Sequence, residues 1–198
     1  KFDMQKSFAD LLNQSLTGKV VLVRVDFNVP VENGQVTDDT RIRASLDTIS
    51  SLVNQGARVV LITHFKRPGG KVIDSLRLNP IHKALEVLLS RPVTKLDECI
   101  GANVKQAIDA MNDTDILLLE NIRFHKEEEA NDALFSKTLA SYADFYVQDA
   151  FGTVHRAQAS TAGVSSFLPT YSGLLVKAEL DFLGKALHAP EHPFMAIV

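Results

Sequence analysis

Groups suited to holding an anion fall at four places in the sequence, each directly after an apolar, β-branched run. Asp26-Phe27-Asn28 follows Val20–Val25, and Arg41 arrives after an intervening turn. His64-Phe65-Lys66-Arg67-Pro68-Gly69-Gly70 follows Arg58–Thr63, and Glu120-Asn121-Ile122-Arg123-Phe124-His125-Lys126 follows Asp115–Leu119. Gln148-Asp149-Ala150-Phe151-Gly152-Thr153-Val154-His155-Arg156 follows Phe145–Val147. Each stretch delivers an arginine: Arg41, Arg67, Arg123 and Arg156. At a separation of about 4 Å and an effective dielectric of about 20, two like unit charges repel by about 4 kcal/mol. Guanidinium groups gathered at one rim therefore require an anion between them. A phosphate supplies nearly two negative charges and accepts bidentate guanidinium bonds. The pattern predicts a site for a small phosphorylated acid.

Ordinary structural roles remain open to each position taken alone. A loop arginine can be solvated, and His64 can hydrogen-bond a loop. Asp26 can serve a turn or a helix cap, and Asn28-Val29-Pro30 can be turn chemistry. Asp149 can orient Arg156. His125 and Lys126, followed by Glu127-Glu128-Glu129, read as a solvated helix start, and Lys177 and Lys185 as surface residues. The anion reading rests on all four stretches reaching one edge.

Parallel-sheet physics brings them there. Val20–Val25, Arg58–Thr63, Asp115–Leu119 and Phe145–Val147 are continuously apolar rather than alternating, as befits strands covered on both faces. Between them lie helical patterns. Asp38-Asp39-Thr40 offers a start, Ile42, Leu46, Ile49 and Val53 follow at helical spacing, and Gly56 ends the helix. Asn79-Pro80 opens another helix, with Ile81, Leu85 and Leu88 on one face. Further helices are expected over 102–110, 132–142 and 174–188, the last with Val176, Leu180, Leu183 and Leu187 in a stripe. The alternation predicts an α/β fold, a Rossmann-like, doubly wound, mainly parallel sheet with helices on both faces. In such sheets ligands bind at the carboxyl ends of the strands, where all four stretches begin.

The sequence has 198 residues, which fits one large domain or one domain with the start of another. Its formal net charge of −3 argues against broad nucleic-acid binding, so an anion site must be a local cluster. The single cysteine, Cys99, cannot bridge within the chain and suits a reducing compartment. There is no apolar run of spanning length and no hydrophobic core of a signal peptide, which makes the cytoplasm the expected location. No dinucleotide fingerprint, phosphate loop, zinc spacing or nucleophile elbow occurs, and nothing in the chain identifies a nucleotide site.

The four stretches resemble the motifs of the phosphoglycerate kinase family. Arg24-Val25-Asp26-Phe27-Asn28-Val29-Pro30-Val31 is similar to the family signature, and Thr37-Asp38-Asp39-Thr40-Arg41-Ile42 to the segment after it. Thr63-His64-Phe65-Lys66-Arg67-Pro68 resembles the family's Ser-His-Leu-Gly-Arg-Pro loop. Leu119-Glu120-Asn121-Ile122-Arg123-Phe124 and Asp149–Ala157 complete the series in the family's order. Phe65 and Lys66 depart from it, which leaves the geometry of that loop open.

The resemblance implies a two-lobed kinase that moves a phosphoryl group between 1,3-bisphosphoglycerate and ADP to give 3-phosphoglycerate and ATP. Asp26 and Asn28 would meet the glycerate hydroxyl and carboxylate end. His64, Arg67, Arg123 and Arg156 would hold the non-transferred phosphate, and Arg41 would lie nearest the carboxylate and stabilise the phosphoryl group in flight. The implied organisation is a phosphoglycerate-binding domain over 1–172, an interdomain helix and linker over 173–189, and over 190–198 the first strand of a nucleotide-binding domain. The Mg-ATP or Mg-ADP co-substrate would be bound beyond Val198, no metal being held here. The expected protein is a monomer whose partners are phosphoglycerate and nucleotide, with no nucleic acid or membrane, and this stretch alone would be inactive. Two other classes fit the cluster less fully. One is a stand-alone module that binds a phosphorylated metabolite. The other is a sugar-phosphate isomerase, for which only Asp26 offers a base.

Overall fold

The computed structural model describes residues 6–188 and Met195. The strand and further domain expected over 190–198 lie outside the described residues, Met195 apart.

Eight strands form. The four expected ones are β1 (Val20–Arg24), β4 (Arg58–Ile62), β6 (Ile116–Leu118) and β7 (Phe145–Gln148). To them are added the hairpin β2 (Val31–Glu32) with β3 (Gln35–Val36), and the short edge strands β5 (Thr94–Lys95) and β8 (Thr170–Ser172). The sheet has the order β5-β6-β4-β1-β7-β8, with every pair parallel. The chain runs from β1 to β4, then to the edge strand β5, fills the gap with β6, and returns to add β7 and β8 on the other side. That reversal makes β1 the switch point, where doubly wound sheets open a crevice at their carboxyl edge.

Strand alternation sorts the core into two layers. Val21 and Val23 of β1 point into one cluster with Val59 and Leu61, packed with Leu11, Ile49, Leu52 and Leu85. Val20 and Leu22 point into the other with Val60 and Ile62, packed with Val104, Ile108, Phe135 and Leu139. The first layer is covered by helices α1 (Phe8–Leu12), α2 (Thr40–Ala44), α3 (Leu46–Asn54) and α4 (Asn79–Leu89). The second is covered by α5 (Ala102–Asp109) and α7 (Ala133–Ala140), with the one-turn α6 (Lys126–Glu129) between them and the sheet edge. Both faces of the sheet are thus apolar and covered, which is why its strands lack polar alternation.

Three expectations about helices need correction. The pattern from Thr40 to Asn54 forms two helices, because Ser45, at φ −99° and ψ −5°, breaks the helix between Ala44 and Leu46. Glu128 is fully buried although its neighbours Lys126 and Glu129 are exposed, so the acidic run is not uniformly solvated. Helix α8 (Leu174–His188) has the expected span, but only Val176 of its stripe is buried. Leu180, Leu183 and Leu187 are exposed, and α8 meets the domain at α3 and at the 3-10 turn Phe151–Thr153. No helix among the described residues is long and apolar enough to cross a membrane.

Candidate functional site

Hydrogen bonds between loops fix the carboxyl edge of the sheet before any ligand arrives. The Thr63 hydroxyl accepts from the Phe27 N–H at 3.0 Å and joins the loops after β1 and β4. Buried Asn121 is the main clamp. Its Oδ1 accepts from the N–H groups of Phe65 and Arg123, and its amide nitrogen donates to the carbonyls of Phe65 and Leu76. Asn28 Oδ1 accepts from the Lys66 N–H at 3.0 Å. These bonds tie the loops after β1, β4 and β6 to one another.

Lys66 departs from the family loop at a cost. Its φ of +55° is in the left-handed region that glycine occupies freely. The ammonium rests over the Phe65 ring, 5.6 Å from the centroid.

A cleft of about 350 Å³ opens over these loops, lined by Asn28, His64, Lys66, Arg67, Arg123 and Arg156. Five of these came from the expected set, and Lys66 joins them. A separate surface groove of about 400 Å³ between the β2–β3 hairpin and α4 shares none of these residues. Arg41 and Asp26 lie beside the cleft as a pair: Arg41 Nη1 donates to Asp26 Oδ2 at 2.7 Å, with the arginine side chain about half exposed. Asp26 Oδ1 accepts from the Asn28 N–H at 3.2 Å. Gly152 is required by this packing, since a Cβ there would meet Asp26 Oδ2 at 2.9 Å.

Arg123 carries the clearest sign of a missing partner. Only 2% of the side chain is exposed. Its Nη1 donates to the Lys66 carbonyl at 2.9 Å, yet Nε and Nη2 are buried without a hydrogen-bond partner. The Glu129 carboxylate, at 3.7 Å from Nε, is too far to serve. Burial depresses the Arg123 pKa, and Arg156 and Arg24 depress it further, so the surroundings disfavour the very charge they hold. Buried donors left without a partner are uncommon in folded proteins, and beside a cleft of cations they suit an anionic ligand.

His64 is 3% exposed and sits on the cleft wall. Burial and then the charges of Arg24, Arg123, Arg156 and Arg41 push its pKa down to about 2, so the ring is neutral. Arg24 donates from Nη2 to His64 Nδ1 at 3.1 Å. Guanidinium groups have no acceptor, so Nδ1 must be the acceptor and the ring hydrogen sits on Nε2. Asp26 Oδ1, 3.9 Å from Nδ1, does not reach it.

Sequence reasoning left out Arg24, Asn121 and Glu128. The signal for Arg24 was present: one charge closing an apolar strand has to be paired, and this one is entirely buried. One ordinary role open to Asp149 was to orient Arg156. It instead accepts from the N–H groups of Leu175 and Val176 at the start of α8, where burial raises its pKa to about 6. The His125 ring packs on Phe135 with centroids 5.3 Å apart, a structural role. Lys177 pairs with Asp181 on the surface of α8, as a surface lysine should.

Comparison with known proteins decides the family. A family model described as phosphoglycerate kinase matches residues 11–198. The chain belongs to the phosphoglycerate kinase family. It is 56% identical over 194 residues to a phosphoglycerate kinase of Dictyoglomus turgidum, covering 98% of this chain and 49% of the relative. A phosphoglycerate kinase of Moorella thermoacetica is 55% identical over 188 residues, covering 95% and 48%. Among solved structures, phosphoglycerate kinase from Coxiella burnetii matches with a TM-score of 0.83 at 35% identity, covering 96% of this chain and 46% of that one. The enzyme from Pyrococcus horikoshii matches with a TM-score of 0.85 at 30% identity, covering 95% and 47%. The chain spans about half the length of the relatives it matches.

Proposed function

We propose that this chain forms the phosphoglycerate site of a phosphoglycerate kinase, which transfers a phosphoryl group between 1,3-bisphosphoglycerate and ADP to give 3-phosphoglycerate and ATP. The carrying observation is Arg123, a buried arginine with two unpartnered nitrogens that lines a cleft together with Arg67, Arg156 and His64. A phosphate at that place would accept from all four side chains. It would be the non-transferred phosphate of the substrate, serving as a handle by which the reacting end is aligned.

The reacting end then falls to Asp26, Asn28 and Arg41. Asn28 gives its amide oxygen to Lys66, which leaves the amide nitrogen to donate to a carboxylate or hydroxyl. Asp26 accepts from the glycerate hydroxyl while holding Arg41. The half-exposed Arg41 has donors to spare for the carboxylate and for the charge that develops on the phosphoryl group between its two oxygens. The acceptor is already an anion, so no strong base is required, and catalysis is alignment and charge stabilisation.

Mg-ATP or Mg-ADP enters as co-substrate, held by a nucleotide-binding lobe beyond this sequence. The stretch described here would bind phosphoglycerate weakly and would not turn over alone. The same reading makes the whole protein a cytoplasmic monomer working on small metabolites.

The test is a coupled assay of the full-length protein with 3-phosphoglycerate and Mg-ATP, beside calorimetric titration of 3-phosphoglycerate and of unphosphorylated glycerate. Turnover, with binding that needs the phosphate, is expected. Binding of glycerate as tight as that of 3-phosphoglycerate, or no turnover in either direction, would overturn the reading.

A further inference from the structure

Behind His64 runs a chain of buried polar groups that never touches the cleft. Glu128 of α6 is fully buried, and its carboxylate accepts from the Ser160 hydroxyl at 2.6 Å and the Ser160 N–H at 2.9 Å. A serine hydroxyl has one hydrogen, and this one is given to Glu128. Its oxygen is then free to accept from Arg24 Nε at 2.9 Å. Arg24 also donates through Nη1 to the Val25 carbonyl and through Nη2 to His64 Nδ1. Ser160 lies in a single π-turn, Ala159–Gly163, whose position is held from the sheet by the Tyr146 hydroxyl donating to the Ser160 carbonyl.

We infer that Glu128, acting through Ser160 and Arg24, is a positioning residue that fixes His64 as the Nε2–H tautomer and keeps that hydrogen available to a phosphate in the cleft. The assignment of a phosphate ligand rests on the function proposed above; the tautomer does not. An acceptor and a donor compete for His64 Nδ1. Asp26 Oδ1, at 3.9 Å from Nδ1, would draw a hydrogen onto Nδ1 if it could close by about 1 Å. Arg24 prevents this by occupying Nδ1 with a donor. Arg24 is itself held in place by Ser160 and by the opposite charge of Glu128. Reversal of the tautomer would turn Nε2 into a lone pair facing the ligand, so a donor would be lost and a repulsion gained.

A purely stabilising role accounts poorly for this arrangement. Burial depresses the Arg24 pKa, with Glu128 the largest opposing influence, so an ion pair separated by a serine is being kept out of water. Such pairs are often replaceable by apolar residues without loss of stability. What apolar residues could not reproduce is a donor aimed at Nδ1.

The experiment uses full-length protein with 15N-labelled histidine and long-range imidazole correlation spectra, without ligand. The unsubstituted protein should show His64 Nδ1 as the unprotonated nitrogen and Nε2 as the protonated one. In Glu128→Gln and in Ser160→Ala the two tautomers should mix or invert. The KM for 3-phosphoglycerate should then rise about tenfold, the factor carried by one charge-assisted hydrogen bond of at least ~1.4 kcal/mol, with kcat and the nucleotide KM unchanged. A hydrogen on Nδ1 in the unsubstituted protein overturns the inference whatever the variants do. So does a folded variant of either kind with unchanged tautomer and KM, even if its melting temperature falls. If the unsubstituted protein binds no 3-phosphoglycerate, the functional reading fails while the tautomer result still stands.

Discussion

Replacing Arg123 with methionine should make the ligand-free protein more stable and the site much weaker. The guanidinium is 2% exposed and makes one hydrogen bond, to the Lys66 carbonyl, while Nε and Nη2 make none. An unmade bond at a buried donor costs about 1–3 kcal/mol, and here there are two. Methionine fills a similar volume without donors. Its own cost is the Lys66 carbonyl, which loses a bond worth about 1 kcal/mol but lies near an exposed turn where water can replace it. The net gain is about 1–5 kcal/mol, or roughly 2–20 °C in melting temperature for a domain of this size. Binding moves the other way, since loss of two charge-assisted bonds of about 1.5–3 kcal/mol each weakens phosphoglycerate by about a hundredfold or more.

The assay is differential scanning fluorimetry with urea titration, in buffer free of phosphate and sulfate, followed by calorimetric titration of 3-phosphoglycerate. Buffer choice matters because an inorganic anion in the cleft would satisfy the same nitrogens and hide the gain. A methionine variant that melts lower than the parent in anion-free buffer and still binds phosphoglycerate normally would refute the reasoning. Arg123 would then be a structural residue satisfied by something other than a ligand.

Arg41→Ala in the full-length protein should depress kcat more than it raises KM, whereas Arg156→Ala should chiefly weaken substrate binding, by about 1.5–3 kcal/mol; steady-state kinetics showing the same split for both would remove the division of labour. His64 has its pKa depressed from 6.5 to about 2, so its contribution to stability is complete above pH 6.5 and is lost as pH falls, by about 2 kcal/mol between pH 7 and 5. Asp149, raised from 3.8 to about 6, has the opposite sign: its contribution is present below pH 3.8 and is lost as pH rises through about 6. Urea midpoints at pH 5 and 7 should therefore show His64→Gln less acid-sensitive than the parent and Asp149→Asn more so, and matching slopes in all three proteins would count against both assignments. Lys66→Gly should be tolerated within about 1 kcal/mol, and Lys66→Val should cost more because a β-branched residue strains at positive φ; identical melting temperatures would show that the turn is not strained.

Legibility followed burial. The four central strands were visible because both faces of the sheet are apolar, and the site was visible because each of those strands ends in a polar loop. The edge strands β5 and β8 have two and three residues and carry no pattern of their own, so pairing with β6 and β7 makes them strands. The β2–β3 hairpin did leave a mark, Asn33-Gly34, whose positive φ values of 50° and 75° form its turn. Glu128 could not have been separated from Glu127 and Glu129, since its partner Ser160 lies 32 positions away and meets it only through the packing of α6 on the π-turn. The break at Ser45 is likewise tertiary: a helical stripe crosses it without interruption in the sequence.

Burial also divides the cleft by what each side chain must give up when a ligand binds. His64 and Arg123 are immobilised by folding, one by Arg24 and the other by Lys66 and by its own burial. Arg67 and Arg41 are exposed and Arg156 half-buried, so their ordering must be met at binding, at about 0.5–1.5 kcal/mol for each long side chain. The buried pair should therefore contribute more affinity per hydrogen bond than Arg67 and Arg156 on the same phosphate, while Arg41 answers to the changing charge of the reacting end. This division fits the chemistry assigned to each. A handle phosphate that keeps its charge throughout is best held by fixed donors, while a phosphoryl group in transit needs an arginine that can follow it, and Arg41, tied to Asp26 by one of its nitrogens, has that freedom.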